Sequence, residues 1–309
     1  MQKITIVGAG RVGESTAQFL ASMDITRELV LLDVQPGLPE GAALDIQQTA
    51  PLFEFDTQVT GATDPQAMMG SDLVIVTAGI ARKPGMSRSD VLETNVKILD
   101  SIVDQVMRYA PDAMLMLVSN PVDVLTYRAW QRTGWNRSRV FGQAGVLDSS
   151  RMAAFIALET GYSAKDIDAM VLGGHGDAMV PMIRYTTISG IGVEQLLSKA
   201  QIEQIIERTR NGGAEVLALR KTSSAYSAPA AAISEMVDAI ARNRQAILPA
   251  ISVLKGEYGY RDVAMGVPCV FGMAGMQHIV ELELTDAERA QFDTSLAGVQ
   301  ADLKRLKGH

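Results

Sequence analysis

A chain of 309 residues, 47% of them hydrophobic, can bury a core large enough for one big α/β unit or two modest domains. Its formal net charge of −7 argues against an electrostatically driven nucleic-acid binder, because phosphate recognition needs clustered cations; arginines converging locally could still hold a small anion. The single Cys269 excludes an internal disulfide and, beside only three histidines, argues against a Cys/His zinc site, so a reducing cytoplasm is the expected setting and no metal is expected.

The N-terminal stretch MQKITIVGAG runs straight into a strand, without a signal-peptide cleavage pattern. No apolar span reaches membrane length, so no membrane association is expected. The runs KITIVG, ELVLLD, TQVTG, DLVIVTAG and AMLMLVSNP each end in turn or polar residues, the rhythm of βαβ units. Continuous apolar runs such as LVIV suit parallel strands covered on both faces and joined by right-handed helical crossovers. Helices are predicted over residues 12–23 and 89–109. Beyond residues 142–145 the helices lengthen and the strands become less regular. The expected division is therefore 1–143 for a nucleotide-binding domain and 144–309 for a substrate domain, with no linker and a packed interface between them. In fold class this is α/β: an N-terminal Rossmann doubly wound parallel sheet with a C-terminal mixed α/β domain.

Gly8, Gly10 and Gly13 in GAGRVG follow the strand KITIV and open the helical pattern VGESTAQFLASM, the spacing and context of a dinucleotide-binding turn. The first glycine permits the tight turn, the second lets a pyrophosphate approach the backbone, and the third lets helix pack on strand. The helix N-terminus adds free N–H groups and a favourable dipole. Asp33 ends the next strand, twenty residues after Gly13. A carboxylate there accepts from both ribose hydroxyls and repels a 2′-phosphate, so NAD is expected over NADP. Arg11 inside the turn faces either the pyrophosphate or solvent.

Three histidines are present, and one is set among glycines. His278 lies in a stretch readable as helix or strand, and His309 is the last residue. His175, in GGHGD, has neighbours that clear space for a ligand, and Asp177 after it supplies a charge that favours the protonated ring. The alternative is a histidine in a Gly-rich turn at a strand end. A nicotinamide enzyme that oxidises an alcohol needs a base, a group that holds the base in one tautomer, and something that fixes the substrate. In AGVLDSSRM, Asp148 and Arg151 stand three apart at the start of a predicted helix and can project from one face. Asp148 could accept Nδ1–H from His175, and Arg151 could grip a carboxylate with its guanidinium fork. On spacing alone, a surface ion pair of little energetic weight is the preferred reading of these two.

The ordered set GAGRVG, Asp33, ARKPGMSR, VSNPVD, GQAGVLDSSR and GGHGD spans nearly the whole chain and resembles the lactate/malate dehydrogenase family, specifically its lactate-dehydrogenase-like malate dehydrogenases. The resemblance implies that His175 is the proton donor and acceptor, Asp148 its orienting partner, and Arg151 the clamp on the substrate's C1 carboxylate. It implies that Arg88 polarises the reacting carbonyl, that Arg82 selects the substrate, and that Asn120 sits near nicotinamide and substrate oxygen. It also implies that Ser224, with Ser223 as competitor, lines the substrate pocket, and that Asn95 and Val118 join Asn120 in holding the cofactor. Pro84 and Gly85 break regular structure in a loop that carries both arginines, as in a segment closing over an anionic ligand; Lys83 reads better as a solvent-exposed residue.

The implied reaction is reversible hydride transfer from (S)-malate to NAD, giving oxaloacetate, with L-lactate the nearest alternative substrate. A catalytically idle NAD sensor is the rival from another class; the joint presence of His175, Asp148, Arg151 and Arg88 argues against it. The implied assembly is a homodimer or homotetramer, the tetramer favoured. The chain begins at its first strand, without the N-terminal arm of many lactate dehydrogenases, which does not decide that assembly.

Overall fold

The five apolar runs of the first half become strands in the computed structural model, which describes residues 1–80 and 88–306. They are β1 (Lys3–Val7), β2 (Glu28–Leu32), β3 (Gln58–Ala62), β4 (Leu73–Val76) and β5 (Met114–Leu117), joined by β6 (Val140–Gly142). All six lie parallel in the order β3-β2-β1-β4-β5-β6. This is a doubly wound sheet whose winding reverses between β1 and β4, and ligands bind at such a switch point, outside the carboxyl ends of the strands. The crossovers contain α1 (Arg11–Ser22), α2 (Leu38–Gln48), the short α3 (Ala50–Phe53), α4 (Arg88–Tyr109) and α5 (Val122–Thr133). Helices on both faces explain why every residue of β4 and β5 is buried and why their sequences, LVIV and MLML, are apolar without alternation.

Past β6 the chain forms α6 (Gly145–Thr160), then the short strands β7 (Ile167–Asp168), β8 (Val171–Leu172), β9 (Val180–Pro181), β10 (Thr187–Ile188) and β11 (Ile191–Gly192). Two helices follow, α7 (Lys199–Arg220) and α8 (Ser227–Ala241), then β12 (Ala246–Lys255), β13 (Arg261–Gly272), β14 (Gly275–Ile279) and α9 (Asp286–Leu306). The expectation of less regular strands here holds for β7 to β11 and needs correction for β12 and β13, which run 10 and 12 residues. Both are buried along most of their length, so their sequences lack the period-two alternation by which a strand is read. They pair antiparallel, and β12 meets β6 through Ile251 and Gly142, extending the main sheet to nine strands among the described residues. His278 lies on β14, exposed, at the sheet edge.

One hydrophobic core runs through both halves: Leu20 of α1, Ile75 of β4, Ile233 of α8 and Ile251 of β12 belong to it, and α8 packs against α1. A smaller core joins Met152 and Ile156 of α6 to Val171, Met179 and Val193. No described helix is long and apolar enough to cross a membrane.

Candidate active site

The turn after β1 is built by close contacts. Gly8 has φ +108°, and a Cβ there would stand 2.6 Å from the Ala78 backbone nitrogen; a Cβ on Gly13 would collide with the Gly8 carbonyl oxygen. These two glycines seat α1 against the sheet, with Thr77 Oγ1 donating to the Gly8 carbonyl at 2.9 Å. Gly10 differs, having nothing within 4 Å of where its Cβ would be. It is the N-cap of α1 and has no side chain to satisfy the first N–H groups, so the helix opens onto free space with its donors unspent. A pyrophosphate fits that cradle. Asp33 is pinned beside it, Oδ2 accepting from the Ala9 N–H at 2.8 Å and Oδ1 from the Gln35 N–H at 3.1 Å. Each oxygen keeps lone-pair capacity for a ribose diol, so the donor set suits NAD.

In front of Gly10 a cavity of about 450 Å³ extends along the carboxyl ends of β1, β4 and β5, and its wall includes Val118, Asn120, Arg151, His175 and Ser224. Residues more than a hundred positions apart in the sequence thus share one space. Asn95 also reaches it, but its amide is occupied: Oδ1 accepts from the Ile80 N–H at 2.8 Å while Nδ2 donates to the Ile80 carbonyl at 3.1 Å and the Asn120 carbonyl at 2.7 Å. It ties the Ile80 backbone to the Asn120 backbone. Arg82 lies outside the described residues. Arg88 opens α4, and its side chain is likewise outside them.

His175 follows β8 in a loop whose backbone is held from two sides. Ser295 Oγ on α9 accepts the Gly174 N–H at 2.9 Å, and Asp123 Oδ2 on α5 accepts the His175 N–H at 3.0 Å. The ring's Nδ1 lies 2.8 Å from Asp148 Oδ2, and Arg151 Nη1 donates to Asp148 Oδ1 at 3.2 Å. Asp148, 2% exposed in the first turn of α6, therefore fixes both cavity-facing groups. With Nδ1 engaged, Nε2 is the nitrogen left for a ligand. Burial disfavours the charged ring, but the Asp148 carboxylate in contact with it and the Asp123 charge outweigh burial and the opposing Arg151, so His175 titrates above its ordinary value. The carboxylates of Asp148 on α6 and Asp123 on α5 both favour the protonated ring.

Three features escaped the sequence reading. Gly212 and Gly213, inside α7, let Arg151 lie close: a Cβ at Gly212 would stand 3.3 Å from Arg151 Cδ, and one at Gly213 would stand 3.8 Å from Nη2. Paired glycines in a helix interior are costly by propensity, and that cost was the available signal. Gln143, 4% exposed on the cavity wall, has an Nε2 without a hydrogen-bond partner among the described residues, a buried donor available to a ligand. Arg11 borders the same cavity from an exposed position and is braced across it. Its guanidinium stands 5.5 Å from the Tyr226 ring centre, and Nη1 donates to Ser223 Oγ at 3.5 Å, which engages Ser223 and leaves Ser224 as the serine free of that contact.

Comparison with known proteins identifies the family of the chain. Residues 2–142 match the lactate/malate dehydrogenase NAD binding domain, and residues 145–308 match the lactate/malate dehydrogenase alpha/beta C-terminal domain. A malate dehydrogenase of Thioalkalivibrio sulfidiphilus is 69% identical over 307 residues, covering 99% of this chain and 100% of that protein. Among solved structures, the malate dehydrogenase of Salinibacter ruber superposes with a TM-score of 0.95 at 41% identity, covering 99% of this chain and 98% of the other. The lactate dehydrogenase of Cryptosporidium parvum, solved with lactic acid and NAD, superposes with a TM-score of 0.95 at 36% identity, covering 100% of this chain and 98% of the other. The chain belongs to the lactate/malate dehydrogenase family.

Proposed function

We propose that the chain is an NAD-dependent malate dehydrogenase that interconverts (S)-malate and oxaloacetate, with residues 1–143 holding the cofactor and 144–309 contributing most of the substrate site. One observation carries this reading: the His175–Asp148–Arg151 constellation opens onto the same cavity as the glycine cradle. NAD, when bound, supplies the acceptor for the C2 hydride. His175 Nε2 takes the hydroxyl proton of malate as that hydride leaves, so the alcohol carbon gains its second bond to oxygen while the ring becomes imidazolium. Asp148 holds the productive tautomer and stabilises the cation, as an orienting carboxylate does in other His-based sites. Arg151 pairs with the C1 carboxylate through its fork.

Gly8, Gly10, Gly13 and Asp33 would hold the dinucleotide, Val118 and Asn120 would contact it from the cavity wall, and Asn95 acts through the Asn120 backbone. Arg88 and Arg82 take the family's carbonyl-polarising and substrate-selecting positions, and Ser224 lines the substrate pocket.

Malate is chosen over lactate because the 69% identical relative is a malate dehydrogenase, whereas the superposition on a lactate dehydrogenase keeps L-lactate as the second reading. Cytoplasmic residence belongs to the same proposal, supported by a lone buried cysteine. So does assembly into a homodimer or homotetramer, supported by Leu44 and Phe53, which stand exposed on α2 and α3. The test is NADH oxidation with a panel of 2-oxo acids. Fast turnover with oxaloacetate alone supports the proposal; preference for pyruvate replaces it with the lactate reading, and no turnover with any acid overturns both.

A further inference from the structure

Asp123 sits beside the catalytic histidine without a task in the reaction as described. It lies in the first turn of α5, within VSNPVD, and is 5% exposed. Oδ2 accepts the His175 N–H at 3.0 Å, and Oδ1 has no hydrogen-bond partner among the described residues. Burying a carboxylate with one oxygen unpaired is costly. Anchoring a turn does not require that cost: one residue earlier in the same loop, a neutral hydroxyl, Ser295 Oγ, holds the Gly174 N–H at 2.9 Å. A charge kept where a neutral acceptor would serve points to a use for the charge, and the ring of His175 is the group placed to benefit.

We infer that Asp123 is a positioning residue for the proton transfer, fixing the His175 backbone through one oxygen and favouring the imidazolium through its charge, as a second carboxylate beside Asp148. The inference rests on the catalytic reading of His175 and extends it. Among the described residues, the charged groups that act on the ring include Asp123 from α5 and Asp148 and Arg151 from α6, and Asp177 follows two residues later in the same loop; α9 contributes the neutral Ser295. Burial pushes Asp123 itself up to about 6, against the lowering effect of His175. Its support for the imidazolium is therefore present above about pH 6 and fades as the carboxyl takes up a proton below it.

The test is an NMR titration of the His175 ring in the ligand-free protein, wild type against Asp123→Asn and Asp123→Ser, with the signal assigned by its loss in His175→Asn. Asp123→Asn keeps an oxygen of the same reach to accept the His175 N–H, Asp123→Ser keeps a shorter neutral acceptor, and both remove the charge. The expected result is a fall of the His175 pKa by about one unit or more in whichever variants fold, the scale of a nearby opposite charge. The pH at which oxaloacetate reduction is half-maximal should fall by the same amount. A His175 titration unmoved in the folded variants would make Asp123 a purely structural anchor and overturn the inference. Because the titration needs no substrate, it stands apart from the choice of malate: a failed substrate assay leaves it readable, and an unmoved ring in an active malate dehydrogenase rejects the inference alone.

Discussion

Replacing Asp148 by Asn takes one negative charge out of the pair that sets the protonation of the site. Its carboxylate lies 2.8 Å from His175 Nδ1 and accepts from Arg151 Nη1 at 3.2 Å, at 2% exposure, so water offers little compensation. A hydrogen bond to a charged group contributes about 1.5–3 kcal/mol, and about 1.4 kcal/mol corresponds to one pKa unit, so His175 should titrate about one to two units lower in the variant. A second effect acts in the same direction. The Asn amide can turn its Nδ2 toward the ring, and a ring that accepts at Nδ1 carries its proton on Nε2, where it cannot accept the malate hydroxyl proton. Together these should lower turnover by about 10²–10⁴, the range for losing an effective general base. The assay is kcat and kcat/KM for malate oxidation, where His175 is the base, and for oxaloacetate reduction, where it is the acid, across pH, with NADH binding followed by fluorescence in the same samples. Because His175 titrates above its ordinary value, it adds stability below about pH 6.5, and that contribution is lost as pH rises through its folded pKa. The variant's melting temperature should accordingly fall less than that of wild type across the same rise in pH. A turnover within a few-fold of wild type, with the pH profile unmoved, would refute the assignment of Asp148.

Arg151→Lys should lower kcat/KM for oxaloacetate by about 10² or more while leaving NADH affinity unchanged, since an ammonium has no fork for a planar carboxylate; retained substrate use would place the clamp elsewhere. Asp33, held by the Ala9 and Gln35 N–H groups, should make the enzyme prefer NAD, and equal kcat/KM with NADP would count against that role. Arg82→Gln should narrow a preference for oxaloacetate over pyruvate of about 10³, equivalent to about 4 kcal/mol, because it removes the cation that would pair with the second carboxylate; an unchanged ratio would remove Arg82 from substrate selection.

The sheet of the first half was legible because strands buried on both faces write themselves as unbroken apolar runs, as LVIV and MLML do. The glycine turn was legible because its three positions are local in sequence. What the residues alone left ambiguous was the Asp148–Arg151 pair, since an ion pair three residues apart looks the same on a surface as against a cavity; motif order, through the family resemblance, supplied the weight. Asp123 and Gly212 were missed because each takes its meaning from a remote residue: Asp123 meets a backbone N–H 52 positions away, and Gly212 makes room for the Arg151 side chain. Arg11 reaches Ser223 across 212 positions, a contact that no local pattern encodes. The β12–β13 hairpin was obscured for the opposite reason, since its burial erased the alternation that marks a strand.

The measurement that bears most directly on the account is oxaloacetate-dependent NADH oxidation by His175→Asn, with NADH affinity determined on the same preparation. The cradle around Gly10 and the Asp33 carboxylate are separate from the ring, so NADH should bind as it does to wild type. Turnover should nevertheless fall by at least about 10², since His175 is the ring that Asp148 holds with Nε2 left to exchange the proton. Intact binding with turnover close to wild type would contradict the central claim that His175 carries the proton.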